Sequence, residues 1–556
     1  MIQHYKYYLL WLIILMVYLL GWRIDLMDVD AAQYASISKE MTINKSYLQI
    51  FDLGRDYLDK PPLLFWITSF FMTIFGTSDV VYRFVNLIFA LIAIFSTYQF
   101  AKKYYAPPIP YYASLILGTC QALFLITHDC RTDTMLMGWV MLSVWLFSEA
   151  LFNKKITYYI FAFAAMAGGL MTKGPIAIAI VIFAFGGYFL YRKKWNYLFK
   201  WQYLVGLLII GVLIIPMCIG LYQQFDLHPE KILYKQSGIS GLKFFFWTQS
   251  FGRITGESTW SEHGNFFFLL QNMVWSYAPW ILFFLAGWLI KLKQIVKKSA
   301  VEEITFFGFT LTYIALAMSR YQLPHYIFVV FPFASIITAE AIHEIRKKTR
   351  IERISKFTKF YTFFYIFNFI IVSALWLLIP IIHFYVFPLN WILIFALLLI
   401  VFLIVVLLKR VSLPTFIKHS LVTLLTINVF LSTWFYPNLL QYQLGSNVGK
   451  YLKTNNRNAT DFFTYKIDVS HSFVFYSNIL PKNIEKSEEV DLGNWILTDQ
   501  NGFKELEQKG LILKILKSGL HTAVTTLNIE WLNKNTRFQN SSQYFLVEVT
   551  GKLINS

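Results

Sequence analysis

Two aspartates, Asp28 and Asp30, stand directly after the first apolar run of the chain, in the stretch Met-Asp-Val-Asp-Ala-Ala-Gln-Tyr of residues 27–34. Carboxylates at the mouth of a hydrophobic span are costly unless they handle a cation, a proton or a hydroxyl. Asp30 is followed three residues later by Gln33, and Tyr34, Ile37 and Met41 recur at helical spacing. This is the pattern of a capping box opening a short amphipathic helix. As an N-cap Asp30 is fixed in place, and as a general base it takes a proton from an acceptor; the two roles are compatible. Asp28 either points toward the same cavity or is a solvated loop acid.

The other charged positions that suit chemistry come in short motifs. In Asp59-Lys60-Pro61-Pro62-Leu63 a lysine precedes a stiff Pro-Pro step. Such a lysine binds a lipid phosphate as a point charge or snorkels to the interface. Arg131-Thr132-Asp133 and Thr172-Lys173-Gly174-Pro175 each end a hairpin of apolar segments. Glu262-His263 lies in a long polar loop, where His263 with Asp59 would offer a divalent metal ion two ligands, fewer than a zinc site uses. The turn Ser319-Arg320-Tyr321-Gln322-Leu323-Pro324-His325-Tyr326 supplies an arginine and two tyrosines, suited to a phosphate or a sugar.

These motifs must be positioned by membrane helices. Of 556 residues, 57% are hydrophobic and 14% charged, where a soluble chain carries about a quarter charged. Apolar segments of membrane-crossing length fall near residues 7–22, 80–101, 109–127, 134–152, 156–171, 175–191, 203–222, 266–290, 301–319, 324–341, 358–380, 386–408 and 417–434, thirteen spans in all. The first has no small-residue cleavage site after it and reads as a retained span. The basic clusters that make the net charge +18 follow alternate spans, the placement of cytoplasmic loops rather than of a nucleic-acid surface. The same parity puts the motif-bearing loops and the C-terminal segment on the outer face. Cys120, Cys130 and Cys218 lie in or beside spans and give no disulfide framework. Residues 61–76, apolar but too close to the next span to cross independently, read as a helix along the outer interface or as a re-entrant segment. After residue 435 the long apolar runs stop, and strands are expected at 462–465, 495–498, 511–516 and 544–549, with helical turns at 470–476 and 503–508. The chain therefore divides into a membrane domain, 1–435, and a small α/β domain outside the membrane, 436–556.

The order of the motifs is more specific than any one of them. Asp-x-Asp after the first span, then KPPL, RTD, TKGP, a loop histidine and a Leu-Pro-x-Tyr turn resembles the membrane glycosyltransferases of GT-C fold that use polyprenyl-phosphate sugars. The nearest resemblance is to the bacterial aminoarabinose transferases of lipid A, with the protein O-mannosyltransferases more distant. It covers about residues 5–345. The resemblance implies Asp30 as the essential first-loop acid, Asp133 as a second catalytic acid, and Lys60 as the lysine on the lipid phosphate. It also implies His263 as the loop histidine and Tyr326 as the tyrosine of the turn. Asp28, Tyr34, Arg131, Lys173 and Arg320 complete the expected substrate-binding set. The implied partners are an undecaprenyl-phosphate sugar donor, a lipid, glycan or protein acceptor, and membrane lipids, with no nucleic acid. The implied place is the bacterial inner membrane, with the site on the periplasmic side. This chain has Asp30-Ala31 and Gln33-Tyr34-Ala35 where the family often has Asp-Glu and Arg-Tyr-Ala, which bears on sugar specificity. An ion-coupled transporter or lipid flippase is the competing reading; it calls for acids near the bilayer midplane and inverted repeats. Here the acids gather at one face and the spans show no duplication.

Overall fold

A computed structural model of the chain describes residues 5–249, 252, 265–351, scattered positions between 363 and 386, and then 413–457, 459–486 and 489–552. The N-terminal part is helical: α1 (Tyr5–Leu20), α2 (Asp30–Asn44), α3 (Leu63–Phe75), α4 (Asp79–Tyr104), α5 (Ile109–Thr119), α6 (Gln121–His128), α7 (Thr132–Asn153), α8 (Ile156–Lys173), α9 (Ile176–Tyr191) and α10 (Trp201–Leu221). There follow α11 (Phe268–Ser276), α12 (Ile281–Val296), α13 (Ile304–Ala317), α14 (Phe331–Ile351) and α15 (Leu413–Phe430). Eleven of the thirteen expected spans coincide with helices; the segments 358–380 and 386–408 lie largely outside the described residues. Five described helices are by themselves long and apolar enough to cross a bilayer, six if α5 and α6, bent by 50°, count as one. The expected span 266–290 is broken at residues 277–280, because Pro279 has no amide hydrogen to continue the helical ladder.

Chain direction alternates through the bundle, so α7, α8 and α9 bring Asp133, Lys173 and Ile176 to one end, while Asn153 and Tyr191 lie at the other. A helix of this length runs about 1.5 Å per residue, so the two ends stand roughly 25–30 Å apart. The core is a continuous apolar cluster of α1, α4–α9 and α11–α14 side chains.

The C-terminal part contains α16 (Leu444–Thr454), α17 (His471–Ser477), α18 (Gln500–Gln508) and a five-stranded sheet. The strands are β1 (Phe462–Tyr465), β2 (Lys482–Ile484), β3 (Trp495–Asp499), β4 (Leu511–His521) and β5 (Ser542–Lys552). Their order is β2-β1-β3-β5-β4, the first three parallel and the last two antiparallel. The four expected strands and both helical turns are present, and Lys482–Ile484 is a further edge strand. Helix α17 docks on α2 through hydrogen bonds that span more than four hundred residues of sequence.

Candidate active site

Where the helices begin and end together they enclose a cavity of about 380 Å³. Its polar side is built from Asp30 and Tyr34 of α2, Asp59 and Lys60 before α3, Arg131 and Asp133 at the start of α7, and Lys173 at the end of α8. His325 and Tyr326 come from the turn into α14. Its apolar side is Ile176, Ala179 and Phe183 of α9 with Ala315 and Leu316 of α13. A charged pocket continuous with an apolar wall fits a ligand with an anionic head and a hydrocarbon tail.

Each cation in the cavity faces a carboxylate. Lys60 lies 2.6 Å from Asp59, and Lys173 donates to Asp133 at 2.5 Å. Arg131 reaches Asp30 at 2.7 Å and also pairs with Asp129. Burial alone would ease the proton off the Arg131 guanidinium, but Asp129 and Asp30 outweigh it and raise its pKa further, so it stays charged. His325 bridges the two halves, with Nδ1 3.4 Å from Arg131 and Nε2 3.8 Å from Asp133. The Lys173 ammonium sits 4.6 Å over the Tyr326 ring. Tyr34 is buried, and its burial, reinforced by Asp30 and Asp59, holds its hydroxyl protonated far above the ordinary phenol range. Asp30 is the most open carboxylate of the network, 38% exposed, and lines the cavity.

Two expected site residues lie elsewhere. Asp28 does not enter the cavity: its carboxylate accepts from the Ser472 amide at 3.0 Å and the Ser472 hydroxyl at 2.6 Å, at the start of α17. Two-residue spacing at a helix entry turned the two acids to different partners. Arg320 is exposed and absent from the cavity lining, because the chain between α13 and α14 turns Ser319, Tyr321, Leu323, His325 and Tyr326 inward instead. Nor does Asp30 cap its helix. The N-cap is Val29, the Asp30 carboxylate pairs with Arg131, and Gln33 donates to Asp52 at 2.6 Å. His263 lies outside the described residues, and Asp59 serves as the counter-ion of Lys60. Among the described residues no three His, Cys, Asp or Glu side chains converge as metal ligands.

His325 and Gln249, which donates to the Asp59 carbonyl, also line the cavity, and neither stood out in the sequence. The His325 signal was its place beside Tyr326 in a polar turn between two spans.

The helical scaffold, with its polar cavity at one end of the bundle, is the GT-C fold of membrane glycosyltransferases, and the protein is an integral membrane protein. It superimposes on ArnT from Cupriavidus metallidurans bound to undecaprenyl phosphate with a TM-score of 0.71, over 98% of both chains at 16% identity. The apo state of the same protein gives a TM-score of 0.70. The family described as dolichyl-phosphate-mannose-protein mannosyltransferase matches residues 59–219. In sequence the chain is 26% identical over 338 residues to the undecaprenyl phosphate-alpha-4-amino-4-deoxy-L-arabinose arabinosyl transferase of Wigglesworthia glossinidia brevipalpis, covering 59% of this chain and 56% of that one. It is 25% identical over 309 residues to the second such transferase of Proteus mirabilis, covering 53% and 52%. The chain thus spans about half the length of the curated relatives it matches.

Proposed function

We propose that the chain is a glycosyltransferase that moves a sugar from an undecaprenyl-phosphate carrier to an acceptor. The acceptor is lipid A or another envelope glycolipid or glycan, on the periplasmic side of the bacterial inner membrane. The observation that carries this is the cavity: three cations gathered at a polar head pocket whose far wall is apolar. Relatives named for undecaprenyl-phosphate sugars support it.

The isoprenoid tail of the donor lies along the apolar side, by Ile176, Phe183 and Leu316. Its phosphate takes hydrogen bonds from Lys60, Arg131 and Lys173 in place of their present carboxylate partners. As the acceptor oxygen attacks the anomeric carbon, the bond from that carbon to the phosphate oxygen breaks, and polyprenyl phosphate leaves with the electron pair. The cations stabilise the charge that develops on it. Drawing Arg131 toward phosphate releases the Asp30 carboxylate, which accepts the proton of a hydroxyl acceptor. An acceptor phosphate is already ionised and needs Asp30 only for positioning. Asp133 holds Lys173 and faces His325, and Tyr34 presents a neutral hydroxyl to the sugar. A single displacement inverts the anomeric centre. Residues 1–435 form the transferase domain, and 436–556 the periplasmic domain that braces its first loop.

Incubation of the purified protein with a panel of polyprenyl-phosphate sugars and membrane extract, read by mass spectrometry, is the test. A pentose- or hexose-sized mass gain on one acceptor class, dependent on one donor, is expected. Donor sugar that stays on its carrier throughout the panel contradicts the proposal.

A further inference from the structure

The loops at the end of the bundle opposite the cavity collect lysines. Helices α7 and α9 start at the cavity and end at Asn153 and Tyr191, and the loops beyond them carry Lys154-Lys155 and Arg192-Lys193-Lys194, with Lys200 just before α10. Carboxylates at this end are already engaged, Glu149 with Lys103, Glu303 with Arg192, and Glu302 and Glu340 with Lys291. Among the described residues no acid pairs with Lys154, Lys155, Lys193, Lys194 or Lys200.

Aromatic side chains take the place of acids. The Lys194 ammonium donates to the Tyr188 hydroxyl at 2.6 Å and lies 5.5 Å from the Tyr197 ring, while Lys200 lies 4.1 Å over that same ring. Lys200 also donates to the Tyr159 hydroxyl at 3.2 Å, and Lys154 adds its field to that of Lys200. A ring attracts a cation by its quadrupole but brings no net charge, so the ammonium groups gathered around Tyr197 still repel one another. Beside them Phe199 is 88% exposed and Trp201 64% exposed. From Trp201 an uncovered apolar row runs along α10 through Leu204 and Leu208. Basic groups, interfacial tryptophan and an apolar row in continuous sequence match the headgroup, interface and acyl chain of a lipid in that order.

We infer that residues 154–155 and 193–200 form a binding site for an anionic phospholipid in the leaflet opposite the cavity. The phosphodiester is held by the lysines, and the acyl chains lie along α10. The inference is independent of the reaction proposed for the cavity.

Native mass spectrometry of the full chain in detergent tests it, with phosphatidylglycerol and phosphatidylcholine supplied in equal amounts. Phosphatidylglycerol retention should exceed that of phosphatidylcholine by about fivefold for each lysine engaged. The preference should vanish in the K154Q/K193Q/K194Q/K200Q variant and return when the same four positions are arginine. Equal retention of the two lipids, or a preference that survives the glutamine variant, overturns the inference. So does complete displacement of the lipid by inorganic phosphate, which would mark a free-anion site. A second measurement needs no variant: brominated phosphatidylglycerol at low mole fraction in nanodiscs should quench tryptophan fluorescence more than brominated phosphatidylcholine. Equal quenching would overturn the site as well.

Discussion

Lysine–carboxylate clusters stand at both ends of the bundle. At the cavity, Lys173 pairs with Asp133 beside His325 and Tyr326, on the wall of a space that a ligand can enter. At the other end, Lys291 of α12 lies between Glu302 and Glu340, with Tyr105 2.7 Å from its ammonium, and every member is buried. The Tyr105 hydroxyl lies 2.8 and 2.9 Å from the two glutamates, so the second cluster is closed on itself and joins α12, α14 and the segments beside α4 and α13. The same pair of residue types thus does two jobs. In the closed cluster each charge is committed to another charge of the protein, and its removal strands a buried ion. In the open one the cation can exchange its carboxylate for a ligand's phosphate at little cost. What separates a site from a staple here is access and adjoining empty space.

The contrast breaks most visibly at the closed end. Lys291→Met leaves two buried glutamates facing each other and should destabilise the protein by about 3–5 kcal/mol. The loss is read as a lower thermal unfolding midpoint, with transfer per folded molecule unchanged. At the open end Asp133→Asn should do the reverse. The unfolding midpoint should move little, while kcat/KM falls by about 10²–10³-fold, because Lys173 loses the partner that aims it. If both variants behaved alike, the distinction between the clusters would fail.

The docking of the C-terminal part sharpens the comparison further. Ser472 holds Asp28, two residues from Asp30, by two hydrogen bonds. Ser472→Ala removes one of them, worth about 1 kcal/mol, and should lower kcat severalfold with KM unchanged. Ser472→Thr should restore it. A pH effect concerns a second buried lysine, Lys39 of α2. It donates to the Phe475 carbonyl at 2.5 Å and to Asn478, and no carboxylate is among its described hydrogen-bond partners. Burial first, and then the charge of Lys453, push its pKa down to about 8. Below pH 8 it is charged in both folded and unfolded chains, and folding carries the full cost of burying that charge. Between pH 8 and its ordinary value near 10.5 the unfolded chain keeps the proton and the folded chain does not, so stability should rise with pH. The rise should be absent in Lys39→Met, and thermal unfolding of both proteins across that range reads it.

Much of this was legible in the residues. Long apolar runs must become membrane helices, and alternation of their direction put Asp30, Lys60, Arg131, Asp133, Lys173 and Tyr326 at one end. Hydropathy could not say which of two acids at a helix entry faces inward. Asp28 and Asp30 were separated by Ser472 and Arg131, whose approach depends on tertiary docking. His325 was hidden for a similar reason. In an eight-residue turn rich in polar and aromatic side chains the inward set is decided by backbone geometry, and that geometry chose His325 and Tyr326 over Arg320. The break at residues 277–280 was marked by Pro279, yet the apolar run around it is long enough to mask the interruption. The brace of α17 on α2 left no local trace, because its hydrogen bonds join residues more than four hundred positions apart.

The central claim is that the cavity transfers a sugar and that Asp30 acts in the step. Its most direct measurement is the rate of sugar transfer from a polyprenyl-phosphate donor to a hydroxyl acceptor, for the natural protein and for Asp30→Asn. Both should be reconstituted in the same vesicles, with equal amounts of folded protein. Loss of a positioned general base should lower the rate by about 10²–10⁴-fold at an unchanged unfolding midpoint. An Asp30→Asn protein that transfers sugar at the natural rate would contradict the account.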